Sequence, residues 1–524
     1  MNIAEENGAV SVPVTTGAPV LPPTLGYSQI PTAKKPEIPI PFTGADSVFA
    51  LLFLVCGYLF VWLITPEGLG MGVTLFTAVF CTLVLLYTKS RGRKVPRNSW
   101  FWLALVLLDS VSFSLFTNVS LQFLNLLFLM GCAVYWVAVL TSGRMEGTLG
   151  TYFLPDMVNQ LLRVPFLNFG CASKIIRRSS VKNRKSRVLL SSLCGAVAAL
   201  PILGIVLSLL MQADGAFQNL VKQFSADVDT HVVNFLFRLL PAFLTGSYLF
   251  GLLYGNIEKR QVDSITAEKS ARFSQKCKVV PVAAAVTGTV LLCLLYLVFF
   301  GAQTASLFSA FSGQGQNGLT LAEFARRGFF ELCKVVMINF AVIAVSSVLI
   351  RLEGEESRLM RVIHVILSVE TLLLIASALS KMVLYITRYG LTPKRVYTSW
   401  FMVVLAVIFV LIILSRFRKI NLARGVVLTC AVSFLLLCYS NIDGRIVKYN
   451  IDRYQSGTLE SVDVDILYGA PDAAKPYALK LYRNVKDSNI KNNLGVFLRE
   501  QSPDKDEFQQ MNLQKWTALR LPKE

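Results

Sequence analysis

Eleven stretches of mostly apolar residues run through this 524-residue sequence, at about 46–64, 70–88, 100–116, 119–141, 188–211, 231–255, 280–300, 329–350, 362–387, 396–415 and 423–441. Most are near the ~20 residues that an α-helix needs to cross the hydrocarbon core of a bilayer. The stretch 100–116 is the shortest and carries Asp109, so the count stays open by one or two. Inside lipid no water satisfies the peptide groups, so a chain built from such runs closes its backbone hydrogen bonds within helices. The fold class read from this pattern is an all-α polytopic integral membrane protein with about eleven transmembrane helices and a small helical C-terminal domain. Composition agrees: 54% of residues are hydrophobic and only 16% charged, which excludes an ordinary soluble protein.

The formal net charge of +19 raises the question of a nucleic-acid partner. Charge placement answers it. The loops 89–99, 142–187, 256–278, 351–361 and 416–424 hold 27 Lys and Arg, whereas the alternate loops 65–69, 117–118, 212–230, 301–328 and 388–395 hold 6. Positive loops stay in the cytosol. The bias therefore encodes topology, with the N-terminus cytosolic and the chain after residue 441 extracytosolic, and no nucleic acid is expected. Eight of the ten cysteines fall within spans, and the outer tail has none. There is no CxxC pair, and only His231 and His364 supply imidazoles, so neither disulfides nor a Cys/His metal site is expected. No metal, cofactor or catalytic residue is assigned.

The organisation expected along the chain starts with a Pro-rich, disordered cytosolic arm at 1–45, which carries no signal peptide. Four spans follow at 46–141, then a cytosolic loop at 142–187, a membrane domain of seven spans at 188–441, and an extracytosolic domain at 442–524. Within the loop, Leu154, Met157, Val158, Leu161 and Leu162 recur at helical spacing, the pattern of a helix lying on the inner membrane surface. Lys174, Arg177, Arg178, Lys182, Arg184, Lys185 and Arg187 come next without an acid among them. They are either a topology anchor or a contact for anionic lipid of the inner leaflet, to which each adds about 1 kcal/mol of attraction. The Gly-rich piece 312–318 lacks the Lys-Ser/Thr of a phosphate-binding loop and reads as an outer turn. The final 83 residues hold 13 basic and 12 acidic side chains with spaced apolar groups, enough for a modest core.

Charges inside spans are the candidate functional residues, because each costs ~2.5–3.5 kcal/mol to insert and usually meets a partner or a wet cavity. Thr320 with Glu323 is a capping-box pattern that starts a helix. Arg326 and Arg327 lie in its first turns, and Arg327, Glu331 and Lys334 form one stripe in which Glu331 and Lys334 can pair. On the next span Glu370, Ser377, Lys381 and Arg388 share a helix face. Two facing polar stripes predict an interhelical seam. It reads either as a basic pocket for an anionic ligand or as structural pairing. Asp109 and Arg238 are further intramembrane charges; they could pair with each other, or Arg238 could meet Glu370.

The segments AEFARRGFFEL (322–332) and SALSKMVLYITRYGLTPKRVY (377–397), with KYNIDRY (448–454) and VDVDIL (462–467), resemble an uncharacterised bacterial multi-pass membrane protein family, a domain of unknown function of the 4153/4173 type. The resemblance runs from about 185 to 470, with Lys381 standing where such proteins are expected to carry arginine. It implies a bacterial plasma-membrane protein and no activity. Three functions remain: transport or handling of an anionic solute or envelope lipid; a membrane-anchored sensor or scaffold using the outer C-terminal domain; or an enzyme of envelope biosynthesis. The last lacks any paired-carboxylate, nucleophile–histidine or metal-ligand spacing. The lipid bilayer itself is the one expected partner.

Overall fold

A computed structural model of the chain describes residues 41–65, 68–147, 149–179, 230–260, 266–311, 321–350, 356–459, 465–485, 487–500 and 508–521, with short stretches between 192 and 221. Ten helices among these residues are long and apolar enough to cross a membrane. They match ten of the eleven stretches. The stretch 188–211 lies largely outside the described residues, as do the arm at 1–40, the turn at 312–318, Thr320, and Lys182, Arg184, Lys185 and Arg187. Among the described residues extended backbone pairs only as isolated bridges. The protein is an all-α, multi-pass membrane protein.

The first bundle contains α1 (Gly44–Leu63), α2 (Met71–Ser90), α3 (Arg97–Leu115) and α4 (Gln122–Leu140), each packed on the next. Local chemistry sets their ends: the Thr43 amide donates to Asp46 Oδ2 at 2.7 Å, which anchors the start of α1. After α4 come α5 (Phe153–Val158), a π-helical turn (Asn159–Arg163), α6 (Val164–Leu167) and α7 (Cys171–Ser179). The long helix α8 (Thr230–Ile257) then packs on α1. A grouping drawn at the long loop would join this span to the later helices. Two glycines place it with the first four instead: a Cβ on Gly57 would lie 2.2 Å from Ala242 O, and one on Gly246 would lie 2.6 Å from Phe53 O. Small residues let two membrane helices approach this closely.

The amphipathic helix α9 (Ala267–Cys277) leads to the second bundle: α10 (Val282–Phe311), α11 (Leu321–Leu349), α12 (Glu356–Tyr389) and α13 (Pro393–Phe417). Its core joins Phe329, Leu367, Ile375, Met382, Met402 and Phe409. The other faces stay apolar and bare, as at Leu291, Leu295 and Val298 of α10, and such faces suit lipid rather than water. Gly390 ends α12 at φ +75°, with Asn450 so close that a Cβ would sit 2.4 Å from its Oδ1. The helix α14 (Leu422–Tyr439) packs on both α13 and α3 and so ties the bundles together.

Helices α15 (Ile442–Gln455), α16 (Asp465–Tyr468), α17 (Pro471–Asn484) and α18 (Ser488–Glu500), a 3-10 turn (Phe508–Gln510) and α19 (Leu513–Leu519) complete the described chain. They share a small core of Val447, Ile451, Leu467, Leu479, Leu494 and Phe497. This tail is bonded to three inter-helix loops. The Met71 amide donates to Met511 O at 2.8 Å, Thr117 Oγ1 donates to Asp472 Oδ2 at 3.0 Å, and the Leu391 amide donates to Asn450 Oδ1 at 2.7 Å. All three loops belong to the basic-poor set. The basic-rich loops meet each other: Arg93 Nη2 donates to Ile257 O at 2.7 Å, Lys259 Nζ to Ser142 O at 2.7 Å, and Arg424 Nε to Leu149 O at 3.3 Å.

Candidate functional site

On the stripe of α11, Arg326 and Arg327 are exposed. Glu331 pairs with Arg327, Nε to Oε1 at 3.0 Å, and both side chains are more than half exposed. Lys334, the partner that spacing also allowed, is exposed and makes no ion pair with Glu331. Helical Cβ atoms tilt toward the N-terminus, so residues one turn earlier are within reach, and Arg327 has the longer donor fork. From α12, Lys381 lies over Gly328, where a Cβ would come 3.0 Å from Nζ, and it is within electrostatic reach of Glu331. Arg388 is exposed at the end of α12. The structure thus gathers Arg327, Glu331 and Lys381, and leaves Lys334 outside.

Glu370 shares the helix face of Lys381 but meets another neighbour. It is buried, neither oxygen accepts a hydrogen bond among the described residues, and it lies beside Cys293 of α10. Asp109 is fully buried in α3, also without a hydrogen bond, near Cys132 of α4 and Cys438 of α14. Arg238 is half-buried on α8. Neither carboxyl accepts a bond from it, so both pairings that sequence left open are absent. The cause is packing: α8 lies on α1, whereas Asp109 faces α4 and α14.

Several networks escape a search for charges alone. His364 Nε2 lies 2.8 Å from Ser346 Oγ, and its Nδ1 lies 3.1 Å from Arg416 Nη2. A guanidinium only donates, so Nδ1 accepts and the ring is held with its proton on Nε2. Deeper in the second bundle Tyr296 OH donates to Asn339 Oδ1 at 2.6 Å, and Asn339 Nδ2 donates to Thr371 Oγ1 at 3.0 Å. In the first bundle Tyr87 OH donates to Asp46 Oδ1 at 2.6 Å, and Arg91 bridges Asp46 and Glu258. The one legible signal was Asp46, a carboxylate placed three residues after Thr43.

A cavity of about 660 Å³ lies among α1, α2, α4 and α8. Small-molecule sites span ~300–1,000 Å³. Phe60, Phe76, Phe80, Leu129 and Leu252 line it, together with Phe166 and Phe169 from the segment after α4. The hydroxyls of Thr77 and Tyr248 in its wall are already bonded, to Val73 O at 2.8 Å and Leu161 O at 2.8 Å. Thr245 supplies the remaining hydroxyl. Such a wall accepts hydrocarbon and offers a polar solute almost nothing.

The segment 153–167 that supplies Phe166 is folded with its polar side inward. Gln160 Nε2 donates to Gly143 O at 2.8 Å, and Asn256 Nδ2 returns a bond to Gln160 Oε1 at 2.6 Å. Asp156 Oδ1 accepts from the Met145 amide at 3.0 Å. Burial pushes the Asp156 carboxyl above its ordinary range, with the Met145 amide and Arg144 opposing. The outward ridge is Leu154, Val158, Leu162 and Phe166, four residues apart and all exposed. On α7, Cys171, Ala172, Ile175 and Ile176 are buried, and α7 packs on α1 and α8, so Lys174, Arg177 and Arg178 stand exposed a few residues after Phe166 and Phe169 in the chain.

A family model matches residues 103–481, nearly three-quarters of the chain, and is described as a domain of unknown function, DUF4153. The chain belongs to this family. The DUF4153 region reaches further toward the N-terminus than the motifs near 185–470 indicate, taking in α3, α4 and the segment 153–179. It leaves outside it α1, α2 and residues 511–514, of which Met511 accepts from the Met71 amide and Gln514 from the Thr117 amide. No curated protein and no solved structure matches the chain.

Proposed function

We propose that this DUF4153 protein binds and handles an anionic lipid of the cell envelope, its hydrocarbon in the first-bundle cavity and its headgroup at the basic face of α7. The apolar cavity carries this reading, since its wall leaves a soluble anion nothing to bind. Three exposed basic residues, Lys174, Arg177 and Arg178, supply the complementary charge. Together they are worth about 3 kcal/mol toward an anionic surface at ~1 kcal/mol each. The charge bias of the loops supports α7 in the cytosol and residues 442–524 outside, and the family resemblance implies a bacterial plasma membrane. A second reading, a sensor or scaffold using that outer domain, is favoured by the hydrogen bonds that fix it to three inter-helix loops.

The lipid reading is tested with phosphatidylglycerol and phosphatidylcholine carrying a photoreactive acyl chain, in nanodiscs holding the full chain. Cavity-lining peptides around Phe76, Leu129 and Leu252 are expected to label more strongly than the lipid-bare face of α10, and more with the anionic lipid. Leu129→Trp should reduce that labelling by filling the cavity, and Lys174→Ala/Arg177→Ala/Arg178→Ala should remove the preference for the anionic headgroup. Equal labelling of the cavity and of α10 would overturn the reading.

A further inference from the structure

The second bundle holds a titratable group that lipid binding does not use. Glu370 sits near the middle of α12, 5% exposed, and neither carboxyl oxygen accepts a hydrogen bond among the described residues. Buried carboxyls are ordinarily bonded to N–H or O–H groups; here only the Cys293 thiol, a weak donor, is at hand, and an intramembrane acid so poorly satisfied marks a site of ion or proton passage. The cover over Glu370 is thin. It is provided by α10, which meets the bundle chiefly through α12 and whose far side, at Leu291, Leu295 and Val298, is more than half exposed. The far side of α10 faces lipid, so water would reach the carboxyl only along the seam between α10 and α12, from the ends of the bundle, when the two helices separate.

The groups around it suit a proton. From α10 come the Cys293 thiol and the Tyr296 phenol; from α11 comes Asn339, which links Tyr296 to Thr371 of α12. Other titratable or charged groups of these helices lie further along the bundle, among them Glu331, Cys333 and Lys334 on α11, Arg361, His364, Lys381 and Tyr385 on α12, and Arg395, Tyr397 and Arg416 near the ends of α13. No cation among the described residues pairs with the carboxylate. Among the described residues no cluster of three His, Cys, Asp or Glu could hold a metal ion.

We propose that Glu370 is a proton-exchange site between α10 and α12. The carboxyl O–H bond breaks when water enters, the proton leaves as hydronium, and the carboxylate regains a proton by the same route before the helices close. Closed, the site holds a neutral acid in hydrocarbon; open, it holds a solvated carboxylate. Each form exists only in the environment that tolerates it, which couples proton occupancy to helix position. The site lies in a different bundle from the lipid cavity and does not depend on it.

Infrared difference spectroscopy on the full chain in nanodiscs tests this. A carboxylic C=O band absent from Glu370→Gln and retained in Asp109→Asn is expected to diminish reversibly as acidic buffer is exchanged for alkaline buffer. A Glu370 band that ignores the exchange while the protein stays folded would make the group a sealed structural acid and end the proposal. If Glu370→Gln does not fold, the wild-type chain is treated with dicyclohexylcarbodiimide, which modifies protonated carboxyls reached from an apolar phase. Adduct at Glu370 that falls with rising pH supports exchange; no adduct, or a pH-invariant one, overturns it.

Discussion

Asp443 shows what one residue's setting does to stability. It opens α15, is only 5% exposed, and one of its oxygens has no hydrogen-bond partner. Burial pushes its carboxyl up to about 6, against the Val119 amide that bonds it. The folded state therefore holds this proton more tightly than the unfolded chain does, and its contribution is full below the unfolded value of 3.8 and lost as pH rises through about 6. Asp443→Asn keeps an acceptor for the Val119 amide and removes the ionisation. Thermal melts in detergent should show the variant gaining on the wild type as pH rises from about 4 to 7, by on the order of 1–3 kcal/mol. Parallel profiles would refute the assignment. Nothing in the sequence around Asp443 announces this, because the burial comes from the distant Val119 loop and from Tyr397 of α13.

At the scale of elements, the segment 153–167 is the most informative. Its apolar spacing was legible and implied a surface helix; its orientation was not. The same spacing serves a helix that turns its leucines toward the protein or away from it. The reciprocal pair of Gln160 and Asn256 decides for away, since two amides so far apart in sequence satisfy each other only in the folded molecule. Gln160→Leu should strand Asn256 and the Gly143 carbonyl and cost ~1–3 kcal/mol. In a double-mutant cycle with Asn256→Leu, measured by thermal denaturation, the second change should cost much less than it does alone; additive losses would mean the pair is uncoupled. The contact of α1 with α8 depends on Gly246 in the same way. Gly246→Leu drives a side chain into the Phe53 carbonyl and should separate the helices, seen as loss of a disulfide between cysteines placed at facing positions of α1 and α8.

Across the whole molecule, the chain sorts its connections onto two faces. Loops near 65–72, 117–121 and 387–391 carry the tail, while those near 91–93, 141–149, 257–260 and 421–424 meet at the opposite ends of the helices. Reporters fused after residue 460 and within the 117–118 loop should therefore give the same sidedness, and one fused after residue 179 the other. A periplasm-active enzyme is expected to work at the first two; activity only after 179 would invert the topology. Deleting residues 508–524 frees the Met71 and Thr117 amides from Met511 and Gln514. It should expose the 64–70 loop to protease while leaving the second bundle's melting unchanged, because the segment packs chiefly on the tail helix α17 and on α2 and α3.

The sequence alone determined that the chain is a helical membrane protein, where ten spans lie, and which connections share a face. Those properties follow from local hydrophobicity and from charge counted loop by loop, and neither needs a tertiary contact. The three-dimensional packing alone decided that α8 joins α1, that Glu331 pairs with Arg327 while Glu370 stands beneath α10, and that four helices line an apolar cavity. Each depends on which face a helix turns to which neighbour, and that choice rests on glycine contacts and buried amides supplied by residues far apart in the chain.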